Sequence, residues 1–424
     1  MVRAGKHTKI GEIPADWEIQ SFEETFRILP NNTLPRADLN SRGGMVRNVH
    51  YGDILTGFPE VLDCERYQLP YLNDLSLLTS SAQLLQDGDV ILADTAEDET
   101  VGKATEVYGL GDGKLVAGLH TIPCRVKKGK FVPRWLGYYM NSKTYHDQLL
   151  PFITGIKVSS ISKSAVSDTQ ILVPSVEEQQ AVVEVLSDLD KVIQVLEQDI
   201  DKLKDLKQAK LQSMFPQIGE CVPSVRLSGF SEAWERRKLG EIADVYDGVH
   251  QTPEYAENGV MFVSVENIGT LRSEKYISEE AFQRDYKIYP EKGDILMTRI
   301  GDVGTPNVVE GIEKLAFYVS LALLKPRQVD SYFLCNAIRS PLFQKGLKER
   351  TLITAIPQKI NKDEIGEVDI MLPLEKSEQQ QIGEHFRSLD HLITLHQRKL
   401  TKYMDIKQGM MDRLFTGKIR CKSR

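Results

Sequence analysis

The chain has 424 residues, 41% hydrophobic and 27% charged, the make-up of a globular protein long enough for at least two domains. Its 53 Lys and Arg against 60 Asp and Glu give a formal charge of −7, which argues against a generic polybasic nucleic-acid binder. No apolar run approaches the roughly 18 residues of a membrane span, and the start MVRAGKHTKIGEIPADW lacks the apolar core of a signal peptide, so no membrane association is expected.

The five cysteines (Cys64, Cys124, Cys221, Cys335, Cys421) form no CxxC pair and no disulfide framework, so a cytoplasmic protein is expected. The His residues make no HxxxH or HExxH pattern, so no metal site is expected. Charge is uneven: residues 1–216 carry 23 basic and 30 acidic groups, and residues 217–424 carry 30 of each. Within 51–100, Arg66 is the only basic residue. The net charge therefore describes one acidic stretch and no particular face.

Residues 1–173 read as a mixed α+β globule. It opens on IPADWEIQSFEE, with Trp17. The carboxylates Asp16 and Glu18, with Gln20, make a weak nuclease-like triad without supporting context. RNVHYGDILTGFPE follows, then the strand-like DGDVILADT at Gly88–Asp89. The cluster Asp94, Glu97, Asp98, Glu99 reads as a solvated acidic loop. GLGDGKL has glycines but no GK[ST] and no following helix, so it reads as a hairpin turn and not a phosphate loop. HTIPCRV is strand-like, and VPRWLGYYMNSKTYHDQLL is helical.

Residues 174–216 read as one long helix. Leu186, Leu189, Ile193, Leu196, Ile200 and Leu203 step by 3 and 4, an a/d heptad seam. Pro174 precedes the helix, Ser175 with Glu178 fits a capping box, and Pro216 ends it. Residues 217–226 read as a linker.

Residues 227–372 form a second α+β globule with the same plan. FSEAWERRKLGEI aligns Trp234 with Trp17, and KGDILMTRI repeats the Gly-Asp pair at Gly293–Asp294. MFVSV, DILMTRI and AFYVSLALL are strand-like, and DSYFLCNAIRSPLFQKGL is helical. INKDEIGEVDIMLP closes the globule as ISKSAVSDTQILVP closes the first.

Residues 373–416 repeat the long helix, leaving 417–424 as a tail. Residues 175–215 and 375–415 align without a gap, with 12 identities in 41 positions, among them Glu178/Glu378, Gln179/Gln379, Asp190/Asp390, Lys207/Lys407 and Phe215/Phe415. The second seam is Phe386, Leu389, Ile393, His396, Leu400 and Tyr403, with His396 a tolerated polar position. One apolar seam on a helix this long cannot be buried alone. The two helices are therefore expected to pair as an intramolecular coiled coil.

Two variable globules, each followed by a near-constant heptad helix opening on P…EQQ, resemble the specificity subunit of type I restriction–modification systems. The EEQQ…LSDLD and SEQQQI…LD…LF segments resemble its conserved regions. YDGVHQTPEY, GDILMTRIGDVG and AFYVSLALLKP resemble its target-recognition domains. The resemblance implies antiparallel helices with pseudo-twofold symmetry, two methyltransferase subunits docked on them, and ATP-driven cleavage by restriction subunits. S-adenosylmethionine and ATP would belong to those partners, with no cofactor in this chain.

Sequence is read at base edges by polar groups on loops, while Lys and Arg on phosphates fix position. In the first globule the candidate DNA-binding residues are Arg47, Asn48, His50, Tyr51, His120, Lys157, Ser159 and Ser160. In the second they are His250, Gln251, Thr252, Thr298, Arg299, Tyr318, Gln358 and Lys359. No methyltransferase tetrapeptide or Walker motif is present, so the chain is expected to bind double-stranded DNA and not to be an enzyme. Two unlike globules predict an asymmetric bipartite target, with the helices setting the spacing. The competing expectation is a duplicated coiled-coil adaptor that binds proteins and not DNA.

Overall fold

The computed structural model describes residues 5–8, 10–127, 131–155 and 157–421. Residues 1–4 of the expected start and 422–424 of the expected tail lie outside the described residues. The chain divides into two compact units, Met1–Val195 with Leu400–Arg424, and Leu196–Lys399. The division falls inside the two long helices, Val176–Ser213 and Lys376–Leu414, so each unit contains a piece of both.

In the first unit a five-stranded sheet runs in the order Phe26–Ile28, Thr121–Val126, Val90–Ala93, Ala104–Tyr108, Val61–Asp63. A four-stranded sheet runs Lys114–Ala117, Val46–Val49, Tyr71–Leu72, Leu39–Asn40. The GLGDGKL segment is a turn, with Gly109 and Gly111 at positive φ, but it is not a hairpin. It joins strands of two different sheets, because Lys114–Ala117 pairs in parallel with Val46–Val49. The second unit has a four-stranded sheet, Ala243–Asp247, Leu321–Pro326, Ile295–Ile300, Asp302–Val308. A three-stranded sheet, Tyr276–Ile277, Val260–Val263, Leu315–Phe317, completes it.

The repeated Gly-Asp pair makes the same turn in both units. Gly88 and Gly293 have φ of 86° and 93°, a region that favours glycine. Asp89 accepts from the Gln86 N–H at 2.9 Å and Asp294 from the Glu291 N–H at 2.8 Å. Each Asp also takes a cation from the neighbouring strand, Arg125 and Lys325, both at 2.6 Å.

The expected helices are shorter than their apolar patterns. VPRWLGYYMNSKTYHDQLL divides into Trp135–Met140 and Lys143–His146. Asn141, at the break, exchanges two hydrogen bonds with the Ala104 backbone. DSYFLCNAIRSPLFQKGL divides into Ser331–Ile338 and Pro341–Arg350, since Pro341 has no N–H to continue the first helix. AFYVSLALL likewise forms two strands, Leu315–Phe317 and Leu321–Pro326.

The first residues of each seam enter the core of the unit that holds them. Leu186 and Leu189 share the first unit's core with Met410, Met411, Leu414 and Phe415. Phe386 and Leu389 share the second unit's core with Leu203, Leu211, Met214 and Phe215. Leu196 and Ile200 are buried, while Ile193, Ile393, Leu400 and Tyr403 are half-buried. His396 is half-buried too, and its Nδ1 lies 2.8 Å from the Leu392 carbonyl one turn back.

Candidate nucleic-acid interface

The same set of side chains mounts each globule on the helices. Glu178 accepts from Trp17 Nε1 at 2.9 Å and from Arg420 Nη2 at 2.7 Å. Glu378 accepts from Trp234 Nε1 at 3.4 Å and from Arg226 Nε and Nη2, both at 2.8 Å. Both carboxylates are buried, and an unpaired charge there would be costly. The next residue repeats the pattern. Gln179 donates to the Pro174 carbonyl and accepts from Val132 N–H; Gln379 donates to the Pro373 carbonyl and accepts from Asp330 N–H.

This clamp explains why Glu-Gln is shared by both copies, and it corrects the capping box. Ser175 Oγ does accept from Glu178 N–H at 3.3 Å, but the Glu178 carboxylate turns to Trp17 and Arg420. Asp16, one of the nuclease-like residues, makes a two-point pair with Arg420. Sequence reasoning missed Arg226 and Arg420. They stand 11 and 5 residues after Phe215 and Phe415, so the repeat does not align them. The start of the tail is packed as well: Gly417 has φ 68°, and a Cβ there would lie 2.2 Å from Pro14.

In the first unit, several candidates converge at the end of strand Val90–Ala93. His120 Nδ1 lies 3.2 Å from Asp94 Oδ1 and 3.3 Å from Thr95 Oγ1. Tyr51 stands between His50 and His120, with ring centroids 4.6 Å and 5.2 Å away. Burial holds the His50 imidazole below its usual range. Ser160 and Ser159 pair with Thr95 and Ala96, and Lys157 is exposed just before them. Arg47 and Asn48 do not join this patch. Arg47 donates to the Cys64 carbonyl at 3.0 Å, and Asn48 is fully buried, its side-chain amide making no hydrogen bond among the described residues.

In the second unit, Thr298 and Arg299 are buried and their polar atoms are used internally. Thr298 Oγ1 accepts from Thr305 N–H at 2.9 Å. Arg299 pairs with Asp247 and donates from Nε to the Ile360 carbonyl. It thereby ties the segments leading to two exposed loops, one with His250, Gln251 and Thr252, the other with Gln358 and Lys359. Tyr318 is half-buried and bridges to Val249 at the root of the first loop. Gln358 Nε2 donates to the Gly301 carbonyl at 2.9 Å, and Lys359 is exposed.

One equivalence was hidden in the sequence. Asp94 N–H donates to the His120 carbonyl and Asp94 O accepts from Ile161 N–H; Arg299 makes the same backbone bonds to Ser320 and Ile360. The same backbone position thus carries opposite charges in the two units.

Two unlike α+β globules held on a repeated helix by the same clamp define a duplicated, two-unit protein. The chain belongs to the type I restriction modification DNA specificity family, whose domain matches residues 14–205 and 231–402. It is a specificity subunit, a non-catalytic component. It is 23% identical over 431 residues to the putative type I restriction enzyme MjaX specificity subunit of Methanocaldococcus jannaschii, covering 99% of this chain and 97% of that protein. It is 25% identical to the MjaVIII specificity subunit of the same organism over 63% of this chain, which spans 66% of that relative. The fold is similar to the crystal structure of a type I S subunit from M. genitalium, with a TM-score of 0.58, 15% identity, and 94% and 96% of the two chains covered. Among the described residues no helix is long and apolar enough to cross a membrane.

Proposed function

We propose that the chain reads an asymmetric bipartite DNA target, one half-site per unit. The observation that carries this is the clamp: identical Glu and Gln side chains mount two globules whose proposed reading residues differ. A constant mount with interchangeable loops suits a protein whose specificity changes while its assembly does not. The proposed readers are His50, Tyr51, His120, Lys157, Ser159 and Ser160 in the first unit. In the second they are His250, Gln251, Thr252, Tyr318, Gln358 and Lys359. Arg47, Asn48, Thr298 and Arg299 are assigned to holding these loops in place. The difference at this backbone position supports unlike half-sites, since Asp94 sits beside His120 in the first unit where the second has the Arg299–Asp247 ion pair.

The long helices are proposed to pair antiparallel as a coiled coil with pseudo-twofold symmetry, setting the spacing between half-sites. Lys207–Asp390 and Asp190–Lys407 support this, because the residue numbers of each pair have the same sum. Two methyltransferase subunits are proposed to dock on the helices. Val192, Val195 and Leu206 lie on one face of the first helix, and Leu392, Leu395 and Ile406 repeat them on the second; all six are exposed. S-adenosylmethionine and ATP would be bound by the methyltransferase and restriction subunits. The chain's −7 charge supports weak DNA binding by the chain alone, with partners supplying much of the phosphate neutralisation.

Exchanging residues 1–170 for another recognition globule and sequencing the methylated sites tests the reading. One half of the target should change and the other persist. A change in both halves, or in neither, overturns it.

A further inference from the structure

The second unit carries an apolar loop tip that the reading above does not use. Ile356 is fully exposed, Ile353 is 72% exposed and Leu352 46%. Leu352 and Lys359 pair at the loop's base, with N–H to carbonyl distances of 2.8 and 3.4 Å. Gly301 N–H donates to the Gln358 carbonyl at 2.8 Å, and Gln358 Nε2 returns to Gly301. The tip therefore stands on a base bonded to the end of strand Ile295–Ile300, beside the proposed readers.

The surroundings select the partner. Residues 341–362 hold Lys345, Lys348, Arg350, Lys359 and Lys362 against Glu349 alone, in a chain with a net negative charge. Lys345 pairs with Glu349 and Arg350 with Glu364, whereas Lys348, Lys359 and Lys362 are exposed with no carboxylate partner among the described residues. Exposed aliphatic side chains in a segment that carries free cations suit a polyanion with an apolar interior, and duplex DNA is one. The first unit repeats the arrangement at the same place in its fold. Leu150, Phe152 and Val158 are exposed, and Lys143, Lys157 and Lys163 face Asp147 as the one carboxylate of residues 143–163. The two sequences keep a common pattern, ITGI at 153–156 and ITAI at 353–356, although Ile153 is half-buried against the first unit's core and Ile156 lies outside the described residues.

We infer that Ile353 and Ile356 form a wedge that enters the duplex between neighbouring base pairs while the lysines hold the flanking phosphates. Apolar wedges of this kind unstack a step and bend the helix. The second half-site then has a component of specificity that no hydrogen bond supplies, favouring a pyrimidine–purine step where the wedge enters, because such steps unstack most readily. This rests on the DNA-reading function proposed above.

The test uses the complete complex with its methyltransferase subunits, on duplexes bearing the methylome-derived target. 2-Aminopurine is walked through the second half-site, omitting the methylated adenine. The wild-type complex should raise fluorescence at one step. The I353S/I356S variant, altered only at exposed positions, should abolish that rise and weaken binding about tenfold, as loss of a bent complex would. An unchanged signal in the variant, or no enhanced step in the wild type, overturns the wedge. Loss of a methyltransferase subunit from the variant complex, seen by its mass, overturns it in favour of a protein-docking loop. If the wild-type complex shows no preference for the target over random DNA, the reading itself fails.

Discussion

Lys207 Nζ lies 2.5 Å from Asp390, and Lys407 Nζ lies 2.6 Å from Asp190, so one ion pair between the long helices is made twice, once in each unit. The two copies are not electrically equal. Lys407 also meets Glu60 at 2.5 Å, whereas Lys207 has Arg339 nearby. Burial pulls both ammonium groups down. For Lys407 the two carboxylates outweigh it and the pKa rises; for Lys207 burial and Arg339 prevail and it falls.

The consequence is an unequal response to the same substitution. K407M should destabilise its unit by about 3–5 kcal/mol, because Glu60 and Asp190 are left partly buried without their cation. K207M should cost roughly 1 kcal/mol, since Asp390, 43% exposed, can be rehydrated. Urea unfolding of the two variants measures both; equal losses would refute the asymmetry.

The arginine clamps make a second, paired prediction. R420A leaves Glu178 buried with Trp17 as its remaining donor, and R226A does the same to Glu378 and Trp234. Each should cost about 3 kcal/mol, the range for breaking a buried pair by removing one partner. The loss should be local. Hydrogen exchange should quicken in the strand Glu18–Ser21 for R420A and in Glu235–Lys238 for R226A, with the other strand unaffected. R420K keeps the charge but not the two-point geometry, so it should fall between.

The contrast between Glu178 and Arg420 indicates what was legible in the chain. The helices, their seams and the shared Glu-Gln were visible because a rigid element tolerates no insertion, so the copies stay in register over residues 175–215 and 375–415. The Gly-Asp turns were visible because the backbone demands glycine there. Arg226 and Arg420 were not, because the segments that carry them differ in length. Among the candidate readers, Asn48, Thr298 and Arg299 had the right chemistry but lie within strands Val46–Val49 and Ile295–Ile300 and are buried. A single sequence gives alternation along a strand but not which polar side chain the fold consumes.

A third prediction concerns pH. Glu106 accepts from Arg134 N–H at 2.6 Å and Gly137 N–H at 2.8 Å, so its carboxylate closes the start of helix Trp135–Met140. Burial pushes its pKa up to about 7, with those N–H groups and Arg134 opposing. A folded pKa above the unfolded value means the native state holds the extra proton between about pH 4.5 and 7. This group's contribution to stability is therefore greatest at the acid end and falls as pH rises to 7, by of order 3 kcal/mol. E106Q should remove that slope. The difference in unfolding free energy between wild type and E106Q, followed from pH 5 to 8, checks it; a difference that does not vary with pH would refute it.

The proposed role of the helices as a ruler can be tested apart from their role as a frame. Removing one heptad from each, 197–203 and 397–403, deletes two turns and so keeps the seam and the ion-pair faces in phase, and it spares the six exposed residues proposed to dock the methyltransferase subunits. Both clamps lie outside the deleted segments, so the globules should fold as before. Each helix loses about 10 Å of rise, close to the length of three base pairs. Methylome sequencing should then report the same two half-sites with a gap shorter by about three base pairs. An unchanged gap in an active complex would mean that the spacing is set by the partner subunits, and the helices would be a frame without being a ruler.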